Sequence, residues 1–330
     1  MNTMTDMQSA GPRLHEEQAH HAALKELGHA LKSSGYRFTT VSPATHARVN
    51  GRAGNEWAKD LAGVFGWSRP FYSSVLPHEL HALMQAAGIL VPQDESGDGF
   101  HSRLRASSLD GELFFHSSYP TTENDAVFFG PDTYRFANAI EHFISLHGAK
   151  ARRVIDIGCG AGPGAVLAAK RLPGAEVLAT DINPSALKLA ALNAELAGTS
   201  NVLACFSNLL KDVPGDFDLI LSNPPYLVDP AKRAYRHGGG TLGADLSLDI
   251  LKASLERLNP GGTLLLYTGA AIVGGIDPLR QEIADILRDE AVQWTYYEMD
   301  PDIFGEELEC EAYMQADRIA AVVLQVTRPV

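Results

Sequence analysis

The feature that most constrains this fold is an apolar segment that runs directly into a glycine-rich turn. Residues 154–157 have the pattern of a buried strand, and a helix-like segment begins at Ala165 after the turn. Alternate positions of the turn are glycine: Gly158, Gly160 and Gly162. Such a turn lets backbone approach a ligand closely, and the helix that follows aims its free amides at it. The dinucleotide fingerprint fails, because its third glycine would fall at Pro163.

A second apolar segment, Glu176 to Ile182, carries an acidic residue near its end, Asp181. Asn183 suits a helix N-cap, and Pro184 stands at the favoured first helical position. A carboxylate at this point offers acceptors for the two hydroxyls of a ribose. The alternative is that Asp181 caps its own helix.

A third apolar segment, Phe217 to Ser222, ends in Asn223-Pro224-Pro225-Tyr226. Two successive prolines cannot continue a sheet ladder, and they stiffen the turn. The turn holds the amide oxygen of Asn223, the carbonyl of Pro224 and the ring of Tyr226 at the mouth of a sheet. Two acceptors and a π-face suit a planar –NH2 group. An ordinary strand-ending turn is the alternative.

Strands and helices alternate after residue 151 in the way that a doubly wound parallel sheet requires. The predicted strands are Arg152–Gly158, Glu176–Ile182, Val202–Ser207, Phe217–Ser222 and Thr263–Thr268. Further predicted elements are the helices Leu246–Leu258 and Pro278–Asp289 and the strands Val292–Met299 and Arg318–Val326. Ligands bind at the carboxyl ends of strands in such sheets. The residues expected at those ends are Gly158, Asp181, Ser207 and Asn223.

Together, Asp-Ile-Gly-Cys-Gly at 156–160, Asp181 and Asn-Pro-Pro-Tyr resemble the class I S-adenosylmethionine (SAM)-dependent methyltransferases. Within them the chain is similar to the branch with an (Asp/Asn)-Pro-Pro-(Tyr/Phe) motif. That branch includes the HemK/PrmC-type glutamine methyltransferases, the "methyltransferase small domain" enzymes and the amino-methyltransferases of adenine and guanine. The resemblance covers roughly Phe128 to Pro329. It implies an α/β, Rossmann-like sheet of the seven-stranded class I type, whose last strand inserts antiparallel.

The resemblance implies SAM as the cofactor and assigns residues to it. The loop under the methionine part comprises Asp156, Gly158, Gly160 and Gly162. Asp181 is expected to accept from the ribose hydroxyls. Ser207 and Asn208 stand beside the adenine, where HemK/PrmC-type enzymes carry Ser-Asp, so Asn208 can accept from an amino group without bringing a charge. Thr133, in the segment that caps the methionine part, is expected to contact its carboxylate. A plain helix start at Asp132 is the alternative.

The same resemblance, with the chemistry of the motif, predicts how methyl transfer proceeds. An amide or nucleobase amine is a poor nucleophile because its lone pair is delocalised. The Asn223 amide oxygen and the Pro224 carbonyl would hold both N–H bonds and aim the lone pair at the methyl group. Tyr226 would stack on the planar substrate. Asn223, Pro224 and Tyr226 are therefore the predicted catalytic residues, with Pro225 beside the substrate.

The sequence pattern of the N-terminal part of the chain predicts a separate domain. Residues 1–21 are polar and aperiodic and are expected to form a disordered leader. A substrate-recognition domain, mainly helical, is predicted over 22–120, and the methyltransferase domain over 121–330. The elements predicted in the smaller domain are helices at Ala22–Lys32, Trp57–Phe65 and Pro77–Gly88, a loop at Gln93–Gly99, and a hairpin of Arg103–Ser108 and Glu112–Ser117.

Charge and composition limit the classes of partner that the protein is expected to bind. The net charge of −13 argues against broad nucleic-acid binding, which needs a basic footprint. Lys232, Arg233 and Arg236 form the most basic short segment and are predicted to contact the substrate backbone, with a solvated loop as the alternative. The three cysteines lack metal-ligand spacing, so no metal is predicted. The chain carries neither a signal-type nor a membrane-spanning apolar stretch, and a cytoplasmic protein is expected.

These observations predict a SAM-dependent N-methyltransferase that acts on a planar –NH2 group. A protein glutamine amide is the first choice of substrate, because the HemK/PrmC-type enzymes share the Asn-Pro-Pro-Tyr form and an N-terminal helical extension. An exocyclic amine of a base in ribosomal RNA or another nucleic acid is the alternative. A small metabolite and a SAM-binding module without turnover are the remaining readings.

Overall fold

The computed structural model describes residues 4–93, 98–147, 150–233 and 235–330. The chain divides into two compact units. One comprises Met1–Thr121 with Glu195–Ala197, and the other Thr122–Ala194 with Gly198–Val330. The sequence did not predict that three residues from the middle of the chain group with the N-terminal unit.

Among the described residues of the N-terminal unit, three α-helices are present: α1 (Met4–Ser33), α2 (Pro43–Asn50) and α3 (His78–Ala86). The leader expected over residues 1–21 stays a prediction, and the structure describes its residues from Met4 onward as the first part of α1. Residues 15–21 are polar, but they contain neither glycine nor proline and continue a helix without any apolar periodicity. The predicted third helix is confirmed as α3.

The predicted helix Trp57–Phe65 is absent. In its place lies a five-residue π-helical turn, Ala62–Gly66. Two glycines flank the apolar pair of this turn, which lowers its helix propensity. The Asp60 side chain accepts a hydrogen bond from the Gly63 amide at 2.7 Å, and the Trp57 ring stacks on Tyr72 with centroids 4.2 Å apart. These contacts hold the segment as a compact turn.

The described part of the N-terminal unit also contains five strands, more than the mainly helical prediction allowed. They are β1 (Phe71–Tyr72), β2 (Leu90–Pro92), β3 (Gly99–Ser102), β4 (Leu104–Leu109) and β5 (Glu112–Ser117). An antiparallel sheet has the order β1-β3-β2, and β4 pairs with β5. The predicted hairpin is confirmed, and positive φ at Asp110 (50°) and Gly111 (79°) marks a type I′ turn. Residues 94–97 of the predicted loop lie outside the described residues.

The second unit is built on seven strands: β6 (Arg153–Ile157), β7 (Glu176–Asp181), β8 (Val202–Phe206), β9 (Phe217–Ser222), β10 (Leu258–Ile272), β11 (Gln293–Asp300) and β12 (Arg318–Thr327). Their order in one sheet is β11-β12-β10-β9-β6-β7-β8. Strands β6 to β10 pair in parallel, whereas β12 runs antiparallel to both β10 and β11. The predicted class I methyltransferase sheet, with an antiparallel last strand, is confirmed.

Five α-helices accompany this sheet in the ranges that the structure describes: α4 (Pro131–His147), α5 (Pro163–Arg171), α6 (Pro184–Leu196), α7 (Asp245–Leu255) and α8 (Pro278–Leu287). Each of these helices except α7 begins with a proline, whose fixed φ suits the first position of a helix. Both faces of the sheet are covered, because successive residues of each strand enter different cores. Leu219 and Leu221 pack in the core that holds α4 and α5, and Ile220 packs in the core that holds α7 and α8. Because β6 to β10 pair in parallel, their carboxyl ends lie at one edge of the sheet.

Across the described ranges, no helix has both the length and the apolar character that crossing a membrane requires.

Candidate active site

Four predicted site residues follow neighbouring parallel strands at the same edge of the sheet. Gly158 follows β6, Asp181 ends β7, Ser207 follows β8 and Asn223 follows β9. The register aligns these ends, since Ile157 pairs with both Thr180 and Ser222. The chain changes direction between β6 and β9, which is the switch point at which open α/β sheets bind ligands. The structure therefore brings these four positions together, as the sequence predicts.

The glycine-rich turn leaves open space above its backbone. Gly158, Gly160 and Gly162 have positive φ angles of 68°, 54° and 82°, a region that other residues rarely adopt. A Cβ atom at Gly158 would meet nothing within 4 Å, whereas one at Gly162 would lie 3.0 Å from the Cβ atom of Ala190. Gly158 thus borders a space that a ligand can enter, and Gly162 allows close packing on α6.

Asp156 lies beneath this turn, not on its surface. Its carboxylate is buried and accepts a hydrogen bond from the Ala165 amide at 2.9 Å, near the start of α5. A Cβ atom at Gly164 would lie 2.6 Å from the same oxygen, so glycine is required there. Burial raises the pKa of Asp156 to about 7, although the Ala165 amide acts in the opposite direction. Asp156 therefore shapes the loop by holding the first turn of α5.

The Asp181 carboxylate joins two parts of the site. One oxygen accepts from the Gly160 amide at 3.0 Å, and the other accepts from the Asn183 amide at 2.9 Å. Burial raises the pKa of Asp181, and the backbone donors partly offset this. Asn183 itself caps α6 by accepting from the Ser185 amide at 2.9 Å. Each Asp181 oxygen keeps a second lone pair for a ligand hydroxyl.

An apolar surface that the sequence did not predict lies beside Asp181. Ile182 and Phe206, at the ends of β7 and β8, are 52% and 53% exposed. Ser207 is buried, and its hydroxyl donates to the Leu209 carbonyl at 2.8 Å, so it shapes the turn instead of facing a ligand. Asn208 is exposed in that turn. Side-chain exposure at strand ends depends on neighbouring loops, which sequence periodicity does not report.

Thr133 lies in the first turn of α4 and is buried. Its hydroxyl accepts from the Gly130 amide at 3.2 Å, while its own amide donates to the Gly130 carbonyl at 3.0 Å. This arrangement caps the helix start. The hydroxyl proton is not used by the cap, so Thr133 can still donate to an acceptor.

Asn223 and Pro224 present unused acceptors. In the described part of the chain, neither the Asn223 side chain nor the Pro224 carbonyl makes a hydrogen bond; Asn223 is partly exposed, whereas Pro224 is buried. The preceding residue is fixed, since the Ser222 hydroxyl donates to the Ile157 carbonyl at 2.8 Å. The end of β9 therefore holds two acceptors in place beside the glycine turn.

The expected open face of Tyr226 is absent. Its side chain is 7% exposed and lies against Tyr267 and Phe304, with ring centroids 6.5 and 6.2 Å away. A Cβ atom at Gly269 would lie 2.3 Å from the ring, so this glycine lets Tyr226 pack flat on β10. The geometry of this structure therefore does not support stacking of Tyr226 on a substrate, because tertiary packing covers the ring.

The basic segment after the motif is largely paired within the protein. Arg233 binds Asp229 through two N–H groups at 2.7 and 2.9 Å, and this guanidinium holds the pKa of Asp229 well below its usual range. Arg236 hydrogen-bonds to the buried Glu307. Lys232 is exposed. The prediction that Arg233 and Arg236 contact a substrate backbone is therefore not supported by their geometry, since both latch this loop to carboxylates of the same unit.

Across the described ranges, no group of three or more His, Cys, Asp and Glu side chains is arranged to hold a metal ion.

Comparisons with known proteins agree with this geometry. The family model described as "Methyltransferase small domain" matches residues 140–272. A release factor glutamine methyltransferase of Geobacter sulfurreducens is 41% identical over 132 residues, which are 36% of this chain and 46% of that protein. One from Rhodopirellula baltica is 30% identical over 209 residues, covering 56% of this chain and 70% of that protein.

Two further findings qualify these likenesses. The chain spans 46% and 62% of the length of two curated relatives that it matches, from Geobacter sulfurreducens and Deinococcus radiodurans. A crystal structure of ribosomal protein L11 methylase from Lactobacillus delbrueckii subsp. bulgaricus is 26% identical and has a TM-score of 0.41. That match covers 60% of this chain and 80% of the other, a likeness too low to support an inference.

Proposed function

Because this chain belongs to the HemK/PrmC-type family of class I SAM-dependent methyltransferases, we propose that it methylates the side-chain amide nitrogen of a protein glutamine. The observation that carries this proposal is the pair of unused acceptors on Asn223 and Pro224. They lie at the end of β9, next to the open glycine turn that follows β6. A planar –NH2 group has two N–H bonds, which this pair can accept together.

The residues at the sheet edge fit SAM. Asp181 keeps lone pairs for the ribose hydroxyls, and Ile182 and Phe206 offer apolar surface for a flat purine. Gly158 borders the space for the methionine part, and the Thr133 hydroxyl can donate to its carboxylate. When bound, SAM supplies a methyl group on a sulfonium, an electrophile that an uncharged nitrogen can attack.

The protein's contribution to the reaction is positioning. Accepting both N–H bonds of the substrate favours a pyramidal nitrogen, whose lone pair then points away from Asn223 and Pro224. The two prolines hold these acceptors rigidly, so little reorganisation is needed, and orientation supplies much of the rate. After the methyl group is attached, the nitrogen is positively charged and can lose one proton to water. Asn223 and Pro224 therefore need to act only as acceptors.

The choice of a glutamine amide rests on the relatives and on charge. The curated relatives are named release factor glutamine methyltransferases. Arg233 and Arg236 are bound to carboxylates of their own unit, which leaves little basic surface near the motif for a phosphate backbone. A nucleobase amine is the second candidate reaction, and it becomes an outcome of the test below. Substrate recognition remains the proposed role of the N-terminal unit.

The proposal is tested with methyl-labelled SAM. The protein is incubated with a bacterial release factor, with the same factor carrying glutamate in place of its glutamines, and with cell lysate treated with RNase or protease. We expect label in the release factor, lost in the glutamate version and located on a glutamine by mass spectrometry. Label that disappears with RNase and persists with protease would overturn the glutamine assignment in favour of a nucleobase.

A further inference from the structure

A buried carboxyl lies behind the Asn-Pro-Pro-Tyr motif. Asp132 is 3% exposed, and its Oδ1 atom accepts from the Tyr267 hydroxyl at 2.7 Å and from Arg135 at 3.2 Å. Arg135 also donates twice to Asp300, at 2.8 and 3.0 Å. These contacts join the start of α4, the middle of β10 and the end of β11. The cofactor geometry derived above does not use them.

The hydroxyl of Tyr226 is buried in the same region, since its ring lies 6.5 Å from that of Tyr267, the tyrosine that binds Asp132. It makes no hydrogen bond of good geometry within the described part of the chain. Burial, followed by the nearby charge of Asp132, raises the pKa of Tyr226, so the phenol stays protonated and can donate. An unpaired buried hydroxyl is costly and calls for a partner. Asp132, whose Oδ1 already accepts from the neighbouring Tyr267 hydroxyl, is the acceptor available to this phenol.

The Tyr226 phenol is connected to the proposed acceptor, the Pro224 carbonyl, through a short and rigid stretch of backbone. Tyr226 stands two residues after Pro224, whose carbonyl is the proposed acceptor, and Pro225 lies between them. Tyr267, Phe304 and Gly269 already hold the ring on its sides. These contacts leave the ring free to shift only along the axis of its C–O bond, and a partner for the hydroxyl would restrict that movement. Because proline limits rotation between the two positions, fixing the phenol fixes the carbonyl.

We propose that Asp132 is a positioning residue for methyl transfer, which holds the Tyr226 hydroxyl and thereby places the Pro224 carbonyl against the substrate amide. This inference rests on the proposed function for its kinetic effect. Its structural effect, a firmer 223–228 segment, is independent of which substrate is methylated. Asp132 does not touch the substrate, so its loss changes turnover more than binding.

The kinetic test is a double-variant comparison of Asp132→Asn and Tyr226→Phe. Each variant should lower kcat roughly tenfold, with SAM affinity by calorimetry changed less than about threefold, because neither group contacts SAM. The double variant should lose no more than Tyr226→Phe alone, since Tyr226→Phe removes the donor of the contact and Asp132→Asn removes only the charge of its acceptor. Losses that multiply, or an Asp132→Asn variant with normal kcat, would overturn the inference.

A second measurement keeps the test independent of turnover. Hydrogen–deuterium exchange over residues 223–228 should rise in Asp132→Asn, and in the double variant it should rise no further than in Tyr226→Phe alone. The matched control is Glu141→Gln, on the same helix, whose carboxylate pairs with Arg171 at 2.8 Å. Unchanged exchange in Asp132→Asn, or an equal rise in Glu141→Gln, would overturn the inference. If the wild-type protein methylates no glutamine, the proposed function fails while the exchange data still decide the role of Asp132.

Discussion

The carboxylate of Asp181 accepts a hydrogen bond from the backbone amide of Gly160, 3.0 Å away. The end of β7 is thereby tied to the glycine turn after β6. The two features that the sequence separates by about twenty residues form one surface. Any ligand that reaches Asp181 also lies over the turn.

Asp181→Ala should weaken SAM binding strongly. The variant removes the acceptors for the ribose hydroxyls, and a hydrogen bond to a charged group contributes roughly 1.5–3 kcal/mol. Calorimetry with SAM measures the loss, and circular dichroism checks the fold. Asp216→Ala, an exposed carboxylate at the other end of the sheet, is the control. Unchanged affinity in folded Asp181→Ala would remove Asp181 from the cofactor site.

Asn223→Ala should nearly abolish methyl transfer while SAM affinity is largely kept. Its amide oxygen is preorganised for the incoming –NH2, and loss of such a group costs on the order of 10² or more in kcat. Single-turnover kinetics with saturating SAM isolates this step. Near-normal turnover in Asn223→Ala would show that the acceptor pair does not drive the reaction.

Arg233→Ala should reduce stability more than substrate affinity. The variant leaves the carboxylate of Asp229, which is 2% exposed, without its main partner, at a cost of about 1–3 kcal/mol. Urea denaturation measures the change, and Lys232→Ala is the matched control because Lys232 is exposed. A KM that rises steeply with salt in the wild type, and whose salt slope flattens in Arg233→Ala, would contradict this and indicate phosphate contacts.

The pH dependence of stability should change in Asp156→Asn. Burial raises the pKa of Asp156 from 3.8 to about 7. Between these values the folded protein binds a proton that the unfolded chain does not, so stability falls as pH rises from about 4 to 7. Asparagine cannot titrate and can still accept from the Ala165 amide.

The measurement for Asp156 is the free energy of unfolding of both proteins across this window. The wild type should lose stability relative to Asp156→Asn by up to about 4 kcal/mol, at roughly 1.4 kcal/mol for each unit of pKa shift. A constant difference between the two proteins from pH 4 to pH 7 would show that Asp156 is ionised throughout.

Much of the sheet was predictable because strand and helix signals are local. Apolar runs such as Phe217–Ser222 and starts such as Pro163 and Pro184 need only their neighbours to be recognised. The carboxyl ends of parallel strands meet at one edge, so strand order in the sequence already predicts that Gly158, Asp181 and Asn223 converge. The family resemblance then supplied the cofactor. In the N-terminal unit, the Asp110-Gly111 turn was equally local.

Other features depended on contacts between distant segments, which only the tertiary structure decided. Tyr226 looked like an open stacking surface, but Gly269, 43 positions further on, lets its ring pack on β10. Arg236 looked like a substrate contact, but folding places Glu307 beside it. Asp132, Tyr267 and Tyr226 form no sequence motif, because their association depends on packing between α4, β10 and the loop after β9. The sequence by itself determined which chemical groups reach the edge of the sheet, since strand order controls that. Tertiary structure decided which of those groups remain free to act, because burial and pairing arise only when distant segments meet.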